Sequence, residues 1–503
     1  MNHQAGNSPA GSRAALVLLT AGLGVFITAL DQTVVVTALP SVMLDLKIPI
    51  TRLDQVSWVI TAYLLGYTVA MPLIGRLADV YGYRRVYGAA LVLFCVGSSL
   101  VAVASSLEWM IAARVIQAVG GGATVPISLA MAAVALPGRR RGLALGIIAG
   151  AAEAGSMLGP AYGGAIVEFW NWRGIFWLNI PQSAVVFLAL FWLPKTNFRD
   201  RIPGDRVDYI GGALLVAALL VISLALSRQG IFTFSSPLPF VLGGVGLGLV
   251  LAVIVYERWE SQPLLPRLLF RSRSFIAANL AQFLLGVCLI IALVTIPLMA
   301  NTVMGKEPFT GAMWLLRLTG LIPVGALLGG VLVGRVGART VTVAGLGLVA
   351  AGLLLVSTWE LGVADPALTM HLALAGLGFG LVIAPLMTRV MEAVSGEYWT
   401  TAAGLAVAAR MLGMTLGLSA LSAWGVEHFQ SLTAGLELPL AEPGQAQADL
   451  QASFLAYQQG ITEAGLALFH NFLRVAGVLA LVAILPALAM GGGKKKRRGA
   501  SQV

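Results

Sequence analysis

The feature that most constrains this chain is the recurrence, from end to end, of apolar stretches about as long as a bilayer is thick. A helix needs about 20 apolar residues to cross the hydrocarbon layer. Fourteen such windows can be placed, near 14–39, 55–77, 85–105, 109–132, 142–167, 173–193, 207–227, 237–257, 274–300, 309–333, 339–358, 367–390, 400–426 and 466–490. Charged residues are only 11% of the 503, and mean hydropathy is +0.88, whereas a soluble domain carries about 25% charged residues. Lipid must therefore solvate most of the surface, and the 59 glycines suit helices that pack closely there. The expected class is an all-α polytopic membrane protein. The first window is too long for a signal-peptide core and reads as the first span.

Basic residues orient the windows. With the N-terminus in the cytoplasm, 23 of the 32 Lys and Arg fall on the cytoplasmic side and 5 on the other, leaving 4 inside windows. That bias places both termini in the cytoplasm and makes the span count even. The net charge of +10 is spread over short loops, which argues against nucleic acid. The run Lys494 to Arg498 is expected to rest on anionic headgroups. Cys95 and Cys288 both lie in apolar windows, and no structural disulfide is expected.

Between the second and third windows lies GRLADVYGYRR, with Gly75, Arg76, Asp79, Gly82, Arg84 and Arg85; between the tenth and eleventh lies GRVGAR, Gly334 to Arg339. The second reads as a worn copy of the first, shortened and without the acid, as two related six-span halves would produce. Other runs carry a recognisable order: LDQTVVVTALP from Leu30, RVIQAVG from Arg114, GSMLGPAYGG from Gly155, and WRGIFWLNIP from Trp172.

These motifs together resemble the major facilitator superfamily, and within it the 14-span drug:proton antiporters. That resemblance implies a major facilitator fold with two extra helices between the halves. The chain then divides into a cytoplasmic tail (1–13), a six-helix half (14–193), two linker helices with flanking loops (194–273), a second half (274–490) and a basic cytoplasmic tail (491–503). The runs Trp58 to Gly66, Gly376 to Leu386, Ala409 to Met414 and Ala420 to Gly425 are similar to actinobacterial lipid-exporting permeases. This implies a bacterial inner-membrane exporter of triacylglycerol or glycolipid, with an extracytoplasmic lipoprotein as possible acceptor. It also implies a monomer with no cofactor, energised by the proton gradient. A multidrug:proton antiporter is the alternative, and a channel a remote one.

In the loop after the second window, Asp79 can accept from a loop arginine and from the N-terminal end of a neighbouring helix, latching the cytoplasmic side. Gly155, Gly159, Gly163 and Gly164 beside Pro160 permit close helix packing; in the antiporters this helix packs on the opposite half.

A charge at the bilayer centre costs about 2.5–3.5 kcal/mol on insertion scales, so each one needs a reason. Counting along the windows, Asp31 lies roughly 12 Å and Arg114 roughly 8 Å from the outer end, close enough to pair. Glu153 and Arg410 lie about 16 Å and 15 Å from the inner end, which pairs them across the halves. Carboxylates that can exchange an arginine for a proton suit proton coupling. Arg317 matches Glu153 less well, and Arg474 reaches to the interface.

The segment 427–465 is the one long external connection and carries no Lys or Arg. Leu450, Phe454 and Tyr457 recur at helical spacing, so the last two spans are expected to continue outward as helices. No nucleophile motif, phosphate-cradling loop or metal spacing supports an enzyme.

Overall fold

The computed structural model describes residues 9–48, 58–193, 208–226, 237–260, 271–439 and 447–490, and every regular element among them is helical. The basic tail and parts of the loops at 194–207, 261–270 and 440–446 lie outside the described residues. The first six helices are α1 (Pro9–Asp45), α2 (Trp58–Tyr81), α3 (Tyr83–Ala102), α4 (Leu107–Ala135), α5 (Arg141–Phe169) and α6 (Trp172–Trp192). Next come α7 (Tyr209–Leu226) and α8 (Leu238–Glu257). The remainder are α9 (Arg273–Leu298), α10 (Pro308–Thr319), α11 (Leu321–Val336), α12 (Ala338–Val356), α13 (Ala367–Glu392), α14 (Trp399–Thr433), α15 (Gln447–Val482) and α16 (Ile484–Ala489).

Thirteen helical stretches among the described residues are long and apolar enough to cross a membrane, and α7 is a shorter apolar helix. Polar residues in the loops start them: Ser106 accepts from Trp109 N at 3.2 Å, and Asn171 accepts from Gly174 N at 3.0 Å, each satisfying an orphan N–H of the first turn.

Several boundaries differ from the sequence windows. The first helix does not stop at Pro40 but runs through it to Asp45. Prolines also lie inside α2, α4, α5, α6, α9 and α13, as is tolerated where neighbouring helices satisfy the freed backbone groups. The tenth window is broken at Gly320 into α10 and α11. Pro323 follows the break; its ring excludes the carbonyl of Thr319 and it has no N–H to give. The helices α14 and α15, at 35 and 36 residues, are roughly 52–54 Å long. Both overrun a hydrocarbon layer of about 30 Å, and Leu450, Phe454 and Tyr457 lie on α15.

The same packing scheme occurs twice. In α1–α6, α1 packs on α4, α5 and α6, and α3 on α4 and α6, with α2 on α4. In α9–α15, α9 packs on α13, α14 and α15, and α12 on α13 and α15, with α11 on α13. The two groups meet where α2 packs on α14 and α5 on α11. The pair α7 and α8 lie against each other, and α7 also touches α2 and α14.

The two loop runs share one turn geometry. Gly82 (φ 94°) and Gly337 (φ 88°) each turn the chain from one helix directly into the next, in backbone that glycine adopts without a Cβ penalty. Aligning these two turns puts Gly330, not Gly334, opposite Gly75, and Gly334 opposite Asp79. The contacts agree: a Cβ on Gly75 would lie 2.8 Å from Thr400 O of α14, and one on Gly330 would lie 2.4 Å from Gly142 O of α5. Both junctions between the groups are thus glycine-close at the end that carries the α2–α3 turn.

Candidate functional site

Among the described residues, three clusters built on charged side chains stand out in the apolar interior. In the first, Arg114 Nη1 donates to Asp31 Oδ2 at 2.8 Å, and both side chains are 0% exposed. Gln117 Nε2 donates to Asp31 Oδ1 at 3.0 Å and Asn179 Nδ2 to the same oxygen at 2.6 Å. Gln117 also accepts from Arg114 at 2.8 Å. The guanidinium lies 3.9 Å from the centroid of the Tyr63 ring, which replaces part of its lost hydration with ring electrons. Asn179 is held in turn by Ser98 Oγ at 3.1 Å. The cluster closes because α3 and α4 can touch: a Cβ on Gly97 would lie 2.4 Å from Gln117 N.

The sequence pairing of Asp31 with Arg114 is therefore present. Gln117, Asn179 and Tyr63 complete it and were not singled out. The signal for Gln117 was available, since it stands three residues beyond Arg114 on the same helix face. Asn179 and Tyr63 come from helices whose relative rotation no local spacing reveals.

In the second cluster Arg410 Nη1 donates to Glu153 Oε1 at 2.9 Å, with the side chains 12% and 14% exposed. This pair joins α5 of one helix group to α14 of the other. It faces a cavity of about 30 Å³ also lined by Gln282 of α9, enough for a water or two. Gln282 Oε1 is buried there with no hydrogen-bond partner. Arg410 is set by the crossing of α9 and α14, where a Cβ on Gly286 would lie 2.1 Å from Arg410 O.

The third cluster is at the α2–α3 turn. Asp79 accepts from Thr400 N at 3.2 Å, Thr401 N at 3.0 Å and Thr401 Oγ1 at 2.9 Å. The carboxylate thus satisfies two orphan donors in the first turn of α14, where the helix dipole favours an anion. Arg76 is buried with its guanidinium 4.7 Å from the Tyr398 ring centroid, beside the start of α14. Of the other loop arginines, Arg84 stacks over Phe191 of α6 and Arg85 is exposed.

The helix α5 packs on both groups, and its glycine run faces α1. A Cβ on Gly155 would lie 2.3 Å from Phe26 O, and one on Gly159 would meet Thr33 Oγ1 at 2.0 Å and Leu30 O at 2.8 Å. Gly163 is close to Val34 and Thr37, while Gly164 faces open space and Pro160 is exposed. The run therefore packs on α1 within its own group. Contact with the other group is made roughly two and a half to three and a half turns earlier, where Gly142 meets Gly330 and Gly146 meets Ala326. Small residues continue along the whole helix, and only the rotation of α5 decides which of them face α1 and which face α11.

Arg317, left without a partner by the sequence, donates to Asp365 at 2.8 Å and Thr369 at 2.7 Å in an exposed triad. Arg474 Nη1 contacts Asn471 on its own helix at 3.4 Å. Cys95 and Cys288 are both free thiols.

A family model described as Major Facilitator Superfamily matches residues 21–418. A triacylglyceride transporter of Mycolicibacterium smegmatis is 35% identical over 496 residues, 95% of this chain and 87% of that one. A triacylglyceride transporter of Mycobacterium tuberculosis is 35% identical over 466 residues, covering 88% and 89%. Among solved structures, the proton:xylose symporter XylE superposes with a TM-score of 0.62 at 14% identity, covering 96% of each chain. The human organic anion transporter MFSD10 does so at 0.59 and 16%, covering 93% and 99%. At such identities the two structures speak to the fold.

Proposed function

Since the chain belongs to the major facilitator superfamily, we propose that it is a proton-coupled secondary transporter exporting a neutral ester lipid from a bacterial inner membrane by alternating access. The lipid is a triacylglycerol or an acylated glycolipid. In this reading the protein has fourteen spans, two six-helix halves with α7 and α8 between them, and both termini in the cytoplasm. The α2–α3 turn is then cytoplasmic, and the glycine contacts of α2 with α14 and of α5 with α11 close the cytoplasmic side.

The observation that carries the proposal is the Glu153–Arg410 pair, a buried ion pair whose partners stand on helices of different groups. Any motion that parts the groups must separate these charges. Doing so without compensation costs several kcal/mol; a proton on Glu153 removes the carboxylate's share of that cost and leaves Arg410 free to turn toward water in the opened cleft. The Asp31 cluster lies within one group and supplies a second carboxylate that could exchange its arginine for a proton. Asp79, bonded across the groups to α14, serves as the cytoplasmic latch. The lipid substrate is supported by relatives that cover nearly the whole chain and are named triacylglyceride transporters.

The test is transfer of labelled triacylglycerol between proteoliposomes and acceptor vesicles under an imposed pH gradient. Transfer should follow the gradient and be lost in Glu153→Gln with the protein still folded. Gradient-driven movement of cationic dyes without lipid transfer would instead favour a multidrug antiporter. Lipid transfer that ignores the gradient would remove the proton from the mechanism.

A further inference from the structure

The helix α7 has no place in either packing group, yet it is not merely a connection. It packs into the seam between α2 and α14: Leu215 of α7 is buried against Leu73 of α2 and Leu405 of α14. Farther along the same seam is a pocket of about 280 Å³ with walls from α1, α2, α7, α9 and α14. By helix rise it sits roughly 20–30 Å from the closed end, judged from Thr68, Ser223 and Ser419.

Three properties of this pocket specify a ligand. None of its twelve lining residues is charged, so it offers no carboxylate to a cationic drug and no cation to a phosphate. Its walls mix aliphatic and thioether side chains with hydroxyls, some of which are already committed. Thr68 donates to Leu64 O at 2.8 Å and Thr415 to Met411 O at 3.0 Å. The exception is Ser223 of α7, which is 2% exposed, lines the pocket, and has a hydroxyl with no hydrogen-bond partner. A serine in a helix ordinarily bonds back to its own backbone. A buried hydroxyl left unpaired costs free energy that a ligand acceptor would return. Gln32, next in the chain to Asp31, adds an amide donor at the wall. Leu64 and Leu418 line the pocket and are 37% and 42% exposed, which leaves apolar surface for acyl chains to lie on.

We propose that Ser223 and Gln32 form an ester-carbonyl subsite for the glyceryl end of a neutral acyl lipid, with the linker helix α7 supplying a wall of the substrate path. The hydroxyl donates to a carbonyl oxygen while the acyl chains lie along Leu64, Met414 and Leu418. The proposal rests on the lipid-export reading for the nature of the ligand, and on the pocket alone for the need for an uncharged acceptor.

The experiment uses the full-length protein and two probes with identical chains, trioleoylglycerol and its trialkyl ether, which lacks the carbonyls. Binding is read by competition against a bound fluorescent acylglycerol, and transfer is read separately in proteoliposomes. The wild type should bind the ester more tightly than the ether. Ser223→Ala should weaken ester binding about fivefold, the loss of one hydrogen bond, and leave the ether unchanged. Ser223→Thr, which keeps a hydroxyl, should recover the preference. A wild type that binds both probes equally overturns the subsite, and so does a Ser223→Ala variant that loses both probes alike or loses neither. In the last case water is what satisfies the hydroxyl. An ester preference in a protein that transfers no lipid would overturn the export reading and leave the subsite standing.

Discussion

The Glu153–Arg410 pair gives the sharpest prediction, because the structure sets both its cost and its partner. Replacing Arg410 with Met leaves the Glu153 carboxylate in an apolar junction of α4, α5, α9, α13 and α14. Breaking a buried pair by removing one member costs about 3–5 kcal/mol. The exposure of 12–14% and the room for water beside the pair place this site at the lower end, about 3 kcal/mol. Glu153→Gln alone leaves a buried guanidinium and should be destabilising by a similar amount. The double variant Glu153→Gln/Arg410→Met removes both charges, and buried pairs replaced by neutral side chains of similar volume are often tolerated. Apparent melting temperatures in one detergent should therefore rank wild type and double variant together, above both singles. The proton-coupling reading adds a second requirement: the double variant must stay inactive in gradient-driven transport although its stability has returned. If the single effects simply add in the double variant, the two side chains are not energetically coupled and the argument fails. If the double variant transports like wild type, the pair is only structural.

Other outcomes follow from the remaining geometry. Gly75→Leu drives a side chain into Thr400 O, where a Cβ alone would be 2.8 Å away, and should shift the protein toward a form open at the α2–α3 end. Spin-label distances between the ends of α2 and α14 should lengthen, as they should in Asp79→Leu, which removes the bonds to Thr400 and Thr401. Asn179→Leu takes one donor from Asp31 and should impair transport about tenfold or more, with near-normal yield of folded protein, measured by initial rates at saturating lipid. Asp45, at the end of α1, has its carboxyl held below the usual range chiefly by the hydrogen bond from Arg173. A depressed carboxylate contributes stability above its unfolded value of about 3.9 and loses it as pH falls through the lower folded value. With the pair 32% and 44% exposed, the contribution is at most about 0.5 kcal/mol. The wild type and Asp45→Asn should thus differ slightly in melting temperature at pH 6 and converge at pH 2. Deleting 432–460, which removes the ends of α14 and α15 and their connection, should abolish lipid transfer while sparing efflux of small dyes; equal loss of both would mark a folding role.

What the sequence alone determined is whatever lipid imposes one residue at a time. Apolar length located the helices, because an unsatisfied backbone cannot cross hydrocarbon. The scarcity of buried charge singled out Asp31, Arg114, Glu153 and Arg410, because each such charge is costly. Helix rise then paired them, since depth is one coordinate and can be counted along the chain. Rotation is another coordinate, and nothing local encodes it. That is why spacing alone does not bring Asn179 and Tyr63 to Asp31, and why it leaves open which stretch of α5 faces α1 and which faces α11. It is also why the second loop run reads only as a shortened copy, since identity of letters cannot see that Gly82 and Gly337 share one positive-φ turn. Tertiary structure alone decided which faces meet, that Asp79 bonds the first turn of α14, and that Ser223 turns an unpaired hydroxyl into a seam between the groups. Those facts depend on side chains far apart in sequence arriving together, and in a bundle built from small and aliphatic residues many rotations bury apolar surface equally well. The few polar groups and the close glycine contacts are what distinguish one of them.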